Sequence, residues 1–306
     1  MEWQSMLRKQ DFTHICFDEP LSEHTTFRVG GPADVMVFPH NREELGRVLA
    51  ICREAGSPWF FLGKGSNLLV NDEGFRGVVI CPEGELAEVR TEGCVLTAGC
   101  AVSLAHLAAE AQQQGLTGLE FASGIPGTFG GGIYMNAGAY GGEMCQVLTD
   151  IVYLDEDGEH HIAPEDAGLG YRTSCFQQRG GLILGGSVTL QPGDREQIMA
   201  RMKELNGLRR AKQPLEYPSA GSMFKRPEGY FAGKLIQDAG LAGFTVGGAQ
   251  VSSKHCGFVI NRGGATAADI TSLVHQVTDR VYQTFGVRMQ PEVRYLGPYG
   301  LCPWQE

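Results

Sequence analysis

The chain has 306 residues, enough for two or three domains around a substantial core, and its 42% hydrophobic and 20% charged residues describe an ordinary soluble globular protein. A net charge of -10 argues against a nucleic-acid partner, which would need a basic face to neutralise phosphates. No run reaches the roughly 18 apolar residues of a membrane helix, Met1 to Phe12 carries no signal-peptide core, and nine scattered cysteines form no C-x-x-C pair, so a cytosolic protein with reduced thiols is expected, without a disulfide framework or a zinc site.

In chain order, Asn41-Arg-Glu-Glu44 reads as a capping box, followed by helical spacing at Leu45, Val48, Leu49 and Cys52 and a stop at Gly56. Trp59 to Leu62 and Gly77 to Ile80 read as buried strands. A second helix fits Leu104 to Gln114, between a Ser103 cap and Gly115. Ile151 to Leu154, Asp155-Glu-Asp-Gly158 and His160 to Ile162 give a hairpin signal, and Leu182 to Leu190 has β character. Asp194 to Asn206 reads as a helix, and Gly207 to Ala220, with its charges and two prolines, as an exposed connection between domains. Thr266-Ala-Ala-Asp269 opens the longest helix, whose Ile270, Leu273, Val274, Val277, Val281 and Phe285 form one apolar stripe before Gly286. Pro291 to Leu296 reads as a closing strand. Strands outnumber helices without a regular β-helix-β alternation, which points to an α+β fold in several lobes.

Glycine is about twice its usual ~7% share, with 43 residues that cluster in loops rather than repeat. Gly63-Lys-Gly-Ser-Asn67 follows a predicted strand and fits either a tight turn or an anion-holding loop, in which backbone N–H groups approach the ligand beside Ser66 and Asn67. Gly124-Ile-Pro-Gly-Thr-Phe-Gly-Gly-Gly132, with Asn136-Ala-Gly-Ala-Tyr140, holds more glycine than a turn needs and suggests backbone packed against a pyrophosphate or a flat ring. Neither loop is a Rossmann or P-loop fingerprint. Arg201 to Arg262 carries ten Lys or Arg against four Asp or Glu. That excess fits a solvated helix face, or a site for a small multiply charged anion formed by Arg209, Arg210, Lys212, Lys225, Arg226 and Lys234 around Ser222. Ser222 lies in no G-x-S-x-G elbow, so a hydrolase nucleophile is not indicated, and the eight histidines show no metal-ligand spacing. Arg172 could hold a carboxylate by paired N–H bonds or be a surface residue, and Glu292 has Arg294 as a same-face neighbour two positions on.

Together these motifs resemble the UDP-N-acetylenolpyruvoylglucosamine reductase family of flavoenzymes, which complete UDP-N-acetylmuramic acid for bacterial cell-wall synthesis. The match runs almost the whole chain, from His24-Thr-Thr-Phe-Arg-Val-Gly-Gly-Pro32 through Gly63-Lys-Gly-Ser-Asn67, Gly124-Ile-Pro-Gly-Thr128, Asn136-Ala-Gly-Ala139, Gly170-Tyr-Arg172 and Ala220-Gly-Ser-Met-Phe-Lys225 to Pro291-Glu-Val-Arg294.

The resemblance implies three lobes: residues 1–81 and 82–206 forming an FAD-binding fold similar to the vanillyl-alcohol oxidase group, and 207–285 a substrate lobe, with the strand in 286–306 returning to the first lobe. It implies non-covalent FAD held by Gly63, Lys64, Gly65, Ser66, Asn67 and Leu68 near its pyrophosphate. Gly124, Ile125, Pro126, Gly127, Thr128 and Gly130, with Asn136, Ala137 and Gly138, would lie along the rest of the cofactor. It further implies Arg172, Ser222 and Glu292 as the catalytic residues, Tyr171, Lys212, Lys225 and Arg226 at the substrate, and NADPH as hydride donor. The partner would be UDP-N-acetylglucosamine enolpyruvate, handled by a cytoplasmic monomer. The short distance from Gly221 to Gly257 leaves little room for the tyrosine-bearing capping loop of longer relatives, and many relatives carry asparagine where this chain has Arg226. An oxidase on the same flavin fold is the alternative enzyme, and a noncatalytic flavin or nucleotide sensor, which would not need Arg172, Ser222 and Glu292 together, is the alternative from another class.

Overall fold

The computed structural model of the protein describes residues 2–304. Near the N-terminus, Pro32–Val37 is buried from Ala33 onward and Phe75–Ile80 at every position but Arg76, the pattern of strands covered on both faces. The two run parallel, with Ile15–Pro20 antiparallel on one side and Trp59–Phe61 parallel on the other, in a four-stranded sheet. Helix Arg42–Glu54 packs Leu45, Val48, Ile51 and Cys52 into a cluster with Val35, Val37, Val78 and Ile80. Its cap departs from the expected box. Asn41 Oδ1 accepts the Glu44 N–H at 2.8 Å, but the Glu44 carboxylate reaches past Asn41 to the His40 N–H at 2.9 Å and the Thr13 hydroxyl at 2.6 Å.

The middle of the chain forms an antiparallel five-stranded sheet in the order Gly158–Ile162, Leu148–Asp155, Leu182–Thr189, Val95–Gly99, Val89–Glu92. Leu104, Leu107, Ala108 and Ala111 of helix Leu104–Gln113 close its core with Leu96, Ile151 and Val188. Helix Arg195–Lys212 runs six residues beyond the predicted end at Asn206. Gly207 in mid-helix costs roughly 1 kcal/mol, and tertiary contacts offset that cost. Leu205 is buried, and Arg209 anchors the last turns by donating to the Gly124 carbonyl. The exposed connection is correspondingly shorter.

The last part wraps helix Ala267–Phe285 over a small sheet of Thr245–Val246, Ala249–Val251 and Val259–Asn261. Ile270, Leu273, Val274, Val277 and Val281 are all buried, each worth roughly 1.5–3 kcal/mol of apolar transfer. Phe285 of the predicted stripe is 39% exposed and lies outside this seam. The Thr266 box is complete: Thr266 Oγ1 accepts the Asp269 N–H at 3.0 Å, and Asp269 Oδ2 accepts the Thr266 N–H at 3.1 Å. Two further N–H groups of the first turn, from Ala267 and Ala268, donate to the Asp72 carboxylate at 2.7 and 3.0 Å, across nearly two hundred residues of chain. Arg294–Gly297 pairs parallel with Leu68–Val70, joining the end of the chain to the strand that follows the first glycine loop.

Candidate active site

A cleft of about 1820 Å³ is lined by the first glycine loop, the second glycine loop, and residues Arg172, Lys212, Ser222 and Glu292. Pockets for one drug-sized ligand hold about 300–1,000 Å³, so this cleft has room for a large cofactor and a second molecule.

The first loop leaves strand Trp59–Phe61 and turns at Gly65, whose φ of 57° is left-handed. A Cβ there would stand 2.3 Å from the His24 carbonyl oxygen, so only glycine fits. Among the described residues, the backbone N–H groups of Lys64, Gly65, Ser66 and Asn67 reach no protein acceptor. That row of donors suits a diphosphate. The Asn67 side chain turns away from this row and donates to the Glu292 carbonyl at 3.3 Å.

In the second loop the N–H groups of Gly127, Phe129 and Gly130 are taken by the carbonyls of Ile125, Val102 and Cys100. It therefore offers a smooth wall rather than anion donors. A Cβ on Gly127 would meet nothing closer than 3.7 Å, whereas one on Gly63 would strike Thr128 Oγ1 at 2.7 Å, so the two loops touch. Unpaired donors on one loop and a flat wall on the other fit the phosphates and the ring of FAD.

Tyr171 and Arg172 occupy the middle of a tight turn closed by reciprocal Gly170–Thr173 backbone bonds of 3.2 and 3.3 Å. Arg172 Nε donates to Glu292 Oε1 at 2.7 Å, and its Nη2 to the Gly138 carbonyl at 3.1 Å. Burial pushes the Glu292 carboxyl above its usual range, and the charges of Arg172 and Lys225 oppose that shift. Ser222 sits on an extended segment between two others. It bridges to Phe258 on one side, while the next residue, Met223, accepts the Glu292 N–H at 2.8 Å on the other. Ser222 is exposed to the cleft.

The predicted basic cluster divides. Arg209, Arg210 and Lys212 line the cleft; Lys225, Arg226 and Lys234 do not. The Arg226 guanidinium lies 4.0 Å over the Phe231 ring and donates from Nε to the Tyr230 carbonyl at 3.2 Å, and the Lys234 ammonium is held by Asp238 one turn on. Arg226 meets Tyr171 through its backbone instead, its N–H donating to the Tyr171 hydroxyl at 3.2 Å. Asn136, expected at the cofactor, is 1% exposed and does not line the cleft. Its amide is consumed by the Glu143 carboxylate and the Gly170 carbonyl, each at 3.1 Å, and by the Cys145 N–H at 2.9 Å. Nor does Arg294 pair with Glu292. Its guanidinium donates to Gln177 Oε1 at 3.1 Å and to the Tyr134 hydroxyl at 3.3 Å. Gln177 and His255 were not anticipated. His255 lines the cleft, and burial lowers its pKa, with the nearby Lys212 charge adding to the effect.

Two family models match the chain: an FAD binding domain over residues 33–163 and the C-terminal domain of UDP-N-acetylenolpyruvoylglucosamine reductase over residues 213–296. The chain is 48% identical to the UDP-N-acetylenolpyruvoylglucosamine reductase of Lachnoclostridium phytofermentans over 288 residues, covering 92% of this chain and 93% of that one. It is equally similar, at 48% over 284 residues with the same coverage, to the enzyme of that name from Clostridium perfringens. Among solved structures, the UDP-N-acetylenolpyruvylglucosamine reductase of Thermus caldophilus aligns with a TM-score of 0.79 at 36% identity, over 92% of this chain and 98% of that one. These matches bear out the α+β fold with an FAD-binding part and a C-terminal reductase lobe.

Proposed function

The chain belongs to the UDP-N-acetylenolpyruvoylglucosamine reductase family of FAD-dependent oxidoreductases, and from that premise we propose that it uses NADPH to reduce UDP-N-acetylglucosamine enolpyruvate to UDP-N-acetylmuramate in peptidoglycan precursor synthesis. The observation that carries this reading is the Arg172–Glu292 pair, which lines one cleft together with Ser222 and both glycine loops. Lys64, Gly65, Ser66 and Asn67 would hold the FAD phosphates through their N–H groups, and Gly124 to Thr128 would lie against its ring. The chemistry supplied by bound FAD is two-electron transfer, from NADPH and then as a hydride to C3, the terminal carbon of the enolpyruvyl group.

Each protein group then has a defined task. As C3 gains its hydrogen, the electron pair of the broken C2–C3 π bond is drawn toward C2 and its carboxylate. Arg172, a permanent cation inside a partly desolvated wall, stabilises that charge. Ser222 Oγ donates a proton to C2 and regains one from cleft water, a contribution of roughly 10² to 10⁴ in rate. Glu292 keeps the guanidinium aimed, while Lys212, Arg210 and Arg209 present positive charge to the diphosphate of the sugar nucleotide. The enzyme would act as a cytoplasmic monomer. Among the described residues no helix is long and apolar enough to cross a membrane.

The test is spectroscopic. Flavin absorbance should bleach with NADPH under anaerobic conditions and return when the enolpyruvyl sugar nucleotide is added. Bleaching without return would leave a flavoprotein with a different acceptor, and return only with oxygen would identify an oxidase.

A further inference from the structure

Arg172 stands at φ 56°. A left-handed backbone costs a non-glycine residue about 1–3 kcal/mol and persists only where the surroundings over-determine it. The flank of its turn is held by Asn136, whose Nδ2 donates to the Gly170 carbonyl at 3.1 Å. The Arg172 carbonyl itself is held by Gln177, whose Nε2 donates to it at 3.1 Å.

The orientation of the Gln177 amide is dictated from both ends. Its Oε1 accepts from Arg294 Nη1 at 3.1 Å, and the same Nε2 also donates to the Tyr134 carbonyl at 3.1 Å. Reversing the amide would put its oxygen against two carbonyl oxygens and its NH₂ against a guanidinium, so only one orientation is satisfied. Arg294 is in turn tied to the first glycine loop, its N–H donating to the Asn67 carbonyl at 3.0 Å. A continuous set of bonds therefore runs from the FAD-side loop through Arg294 and Gln177 to the backbone of Arg172, separate from the direct Arg172–Glu292 contact.

We propose that Gln177 is a positioning residue for substrate reduction, holding Arg172 in its left-handed turn so that the guanidinium meets the charge developing at C2 and the carboxylate. This rests on the role given to Arg172 above. Gln177 touches neither reactant, and a displacement of about 1 Å at such a group can cost on the order of 10² in rate.

The test uses Gln177→Met, which keeps the length without the donors, and Gln177→Glu, which keeps the shape but sets an acceptor against two carbonyls. Each is made alone and with Arg172→Ala in the FAD-loaded enzyme. Reduction by NADPH and FAD content should stay within about 3-fold of wild type, while anaerobic reoxidation by the enolpyruvyl substrate slows roughly 100-fold. The double variants should be no slower than Arg172→Ala, because a residue that acts through Arg172 has nothing left to position. In FAD-free protein, carbon NMR of the Glu292 carboxyl should show it titrating at higher pH in Gln177→Met, since a displaced Arg172 favours the carboxylate less. Unchanged reoxidation in Gln177→Met and Gln177→Glu, or effects that multiply with Arg172→Ala, would overturn the inference and leave the proposed reaction intact. If Arg172→Ala itself reoxidises at the wild-type rate, the role of Arg172 falls and that of Gln177 with it.

Discussion

Removing the arginine of the Arg172–Glu292 pair should make the protein's stability strongly pH-dependent. In Arg172→Ala the carboxyl loses its 2.7 Å donor and nearest positive charge and keeps its burial; the two side chains are only 23% and 13% exposed. Breaking a buried pair by deleting one partner costs about 3–5 kcal/mol, and the cleft-facing arginine puts this pair near the low end, about 3 kcal/mol. The sign follows from the direction of the Glu292 shift. Its native pKa already lies above the ordinary glutamate value, so below that value the carboxyl is protonated in native and unfolded chains alike and no ionic cost arises. As pH rises through the native pKa, the unfolded chain ionises freely while the native carboxyl ionises against its burial, and stability falls. Arg172→Ala removes the main opposing influence, which moves the native pKa further up and deepens the loss. Urea unfolding at several pH values should therefore show Arg172→Ala close to wild type at the acid end and about 3 kcal/mol less stable at mildly alkaline pH. Adding Glu292→Gln should remove most of that pH-dependent difference. A deficit in Arg172→Ala that is the same at every pH, or one that Glu292→Gln leaves unchanged, would refute the reasoning.

Three further outcomes follow from the structure. Ser222→Ala should slow anaerobic reoxidation by the enolpyruvyl substrate by roughly 10² to 10⁴ and leave NADPH reduction of the flavin unchanged; equal loss in both half-reactions would assign Ser222 to cofactor binding. Gly65→Ala would force a Cβ to within 2.3 Å of the His24 carbonyl at a left-handed φ, so purified protein should carry several-fold less flavin, and a wild-type flavin content would show that the loop does not hold the diphosphate. Lys212→Ala should raise the substrate KM more than it lowers FAD content, and parallel loss of both would move that charge to the cofactor.

The elements read most directly from sequence are those whose signals are local. Thr266 and Asp269 lie three residues apart and close their own box, and the stripe from Ile270 to Val281 needs only helical spacing to declare its buried face. The glycine loops were legible because close backbone approach leaves a compositional trace. The pairing of Arg172 with Glu292 has no local signature, since it joins a turn to a segment 120 residues further on. Asn136 and Gln177 mark the limit. Asn136 sits in a recognisable motif, yet it serves Gly170 rather than the cleft, and Gln177 holds residues 43 before it and 117 after it with no local signature. The continuation of Arg195–Lys212 through Gly207 was hidden for the same reason, because the bond from Arg209 to Gly124 spans 85 residues.

The contact of Asp72 with the first turn of Ala267–Phe285 has a mechanical consequence. Two charge-assisted hydrogen bonds fix the first turn of Ala267–Phe285 to Asp72, just beyond the strand Leu68–Val70 with which Arg294–Gly297 pairs in parallel. The bond between the Arg226 N–H and the Tyr171 hydroxyl is by contrast a single neutral one. Through Asp72 the start of the last long helix is tied to the strand that follows the first glycine loop, so the sheet beneath Ala267–Phe285 and that loop share one support.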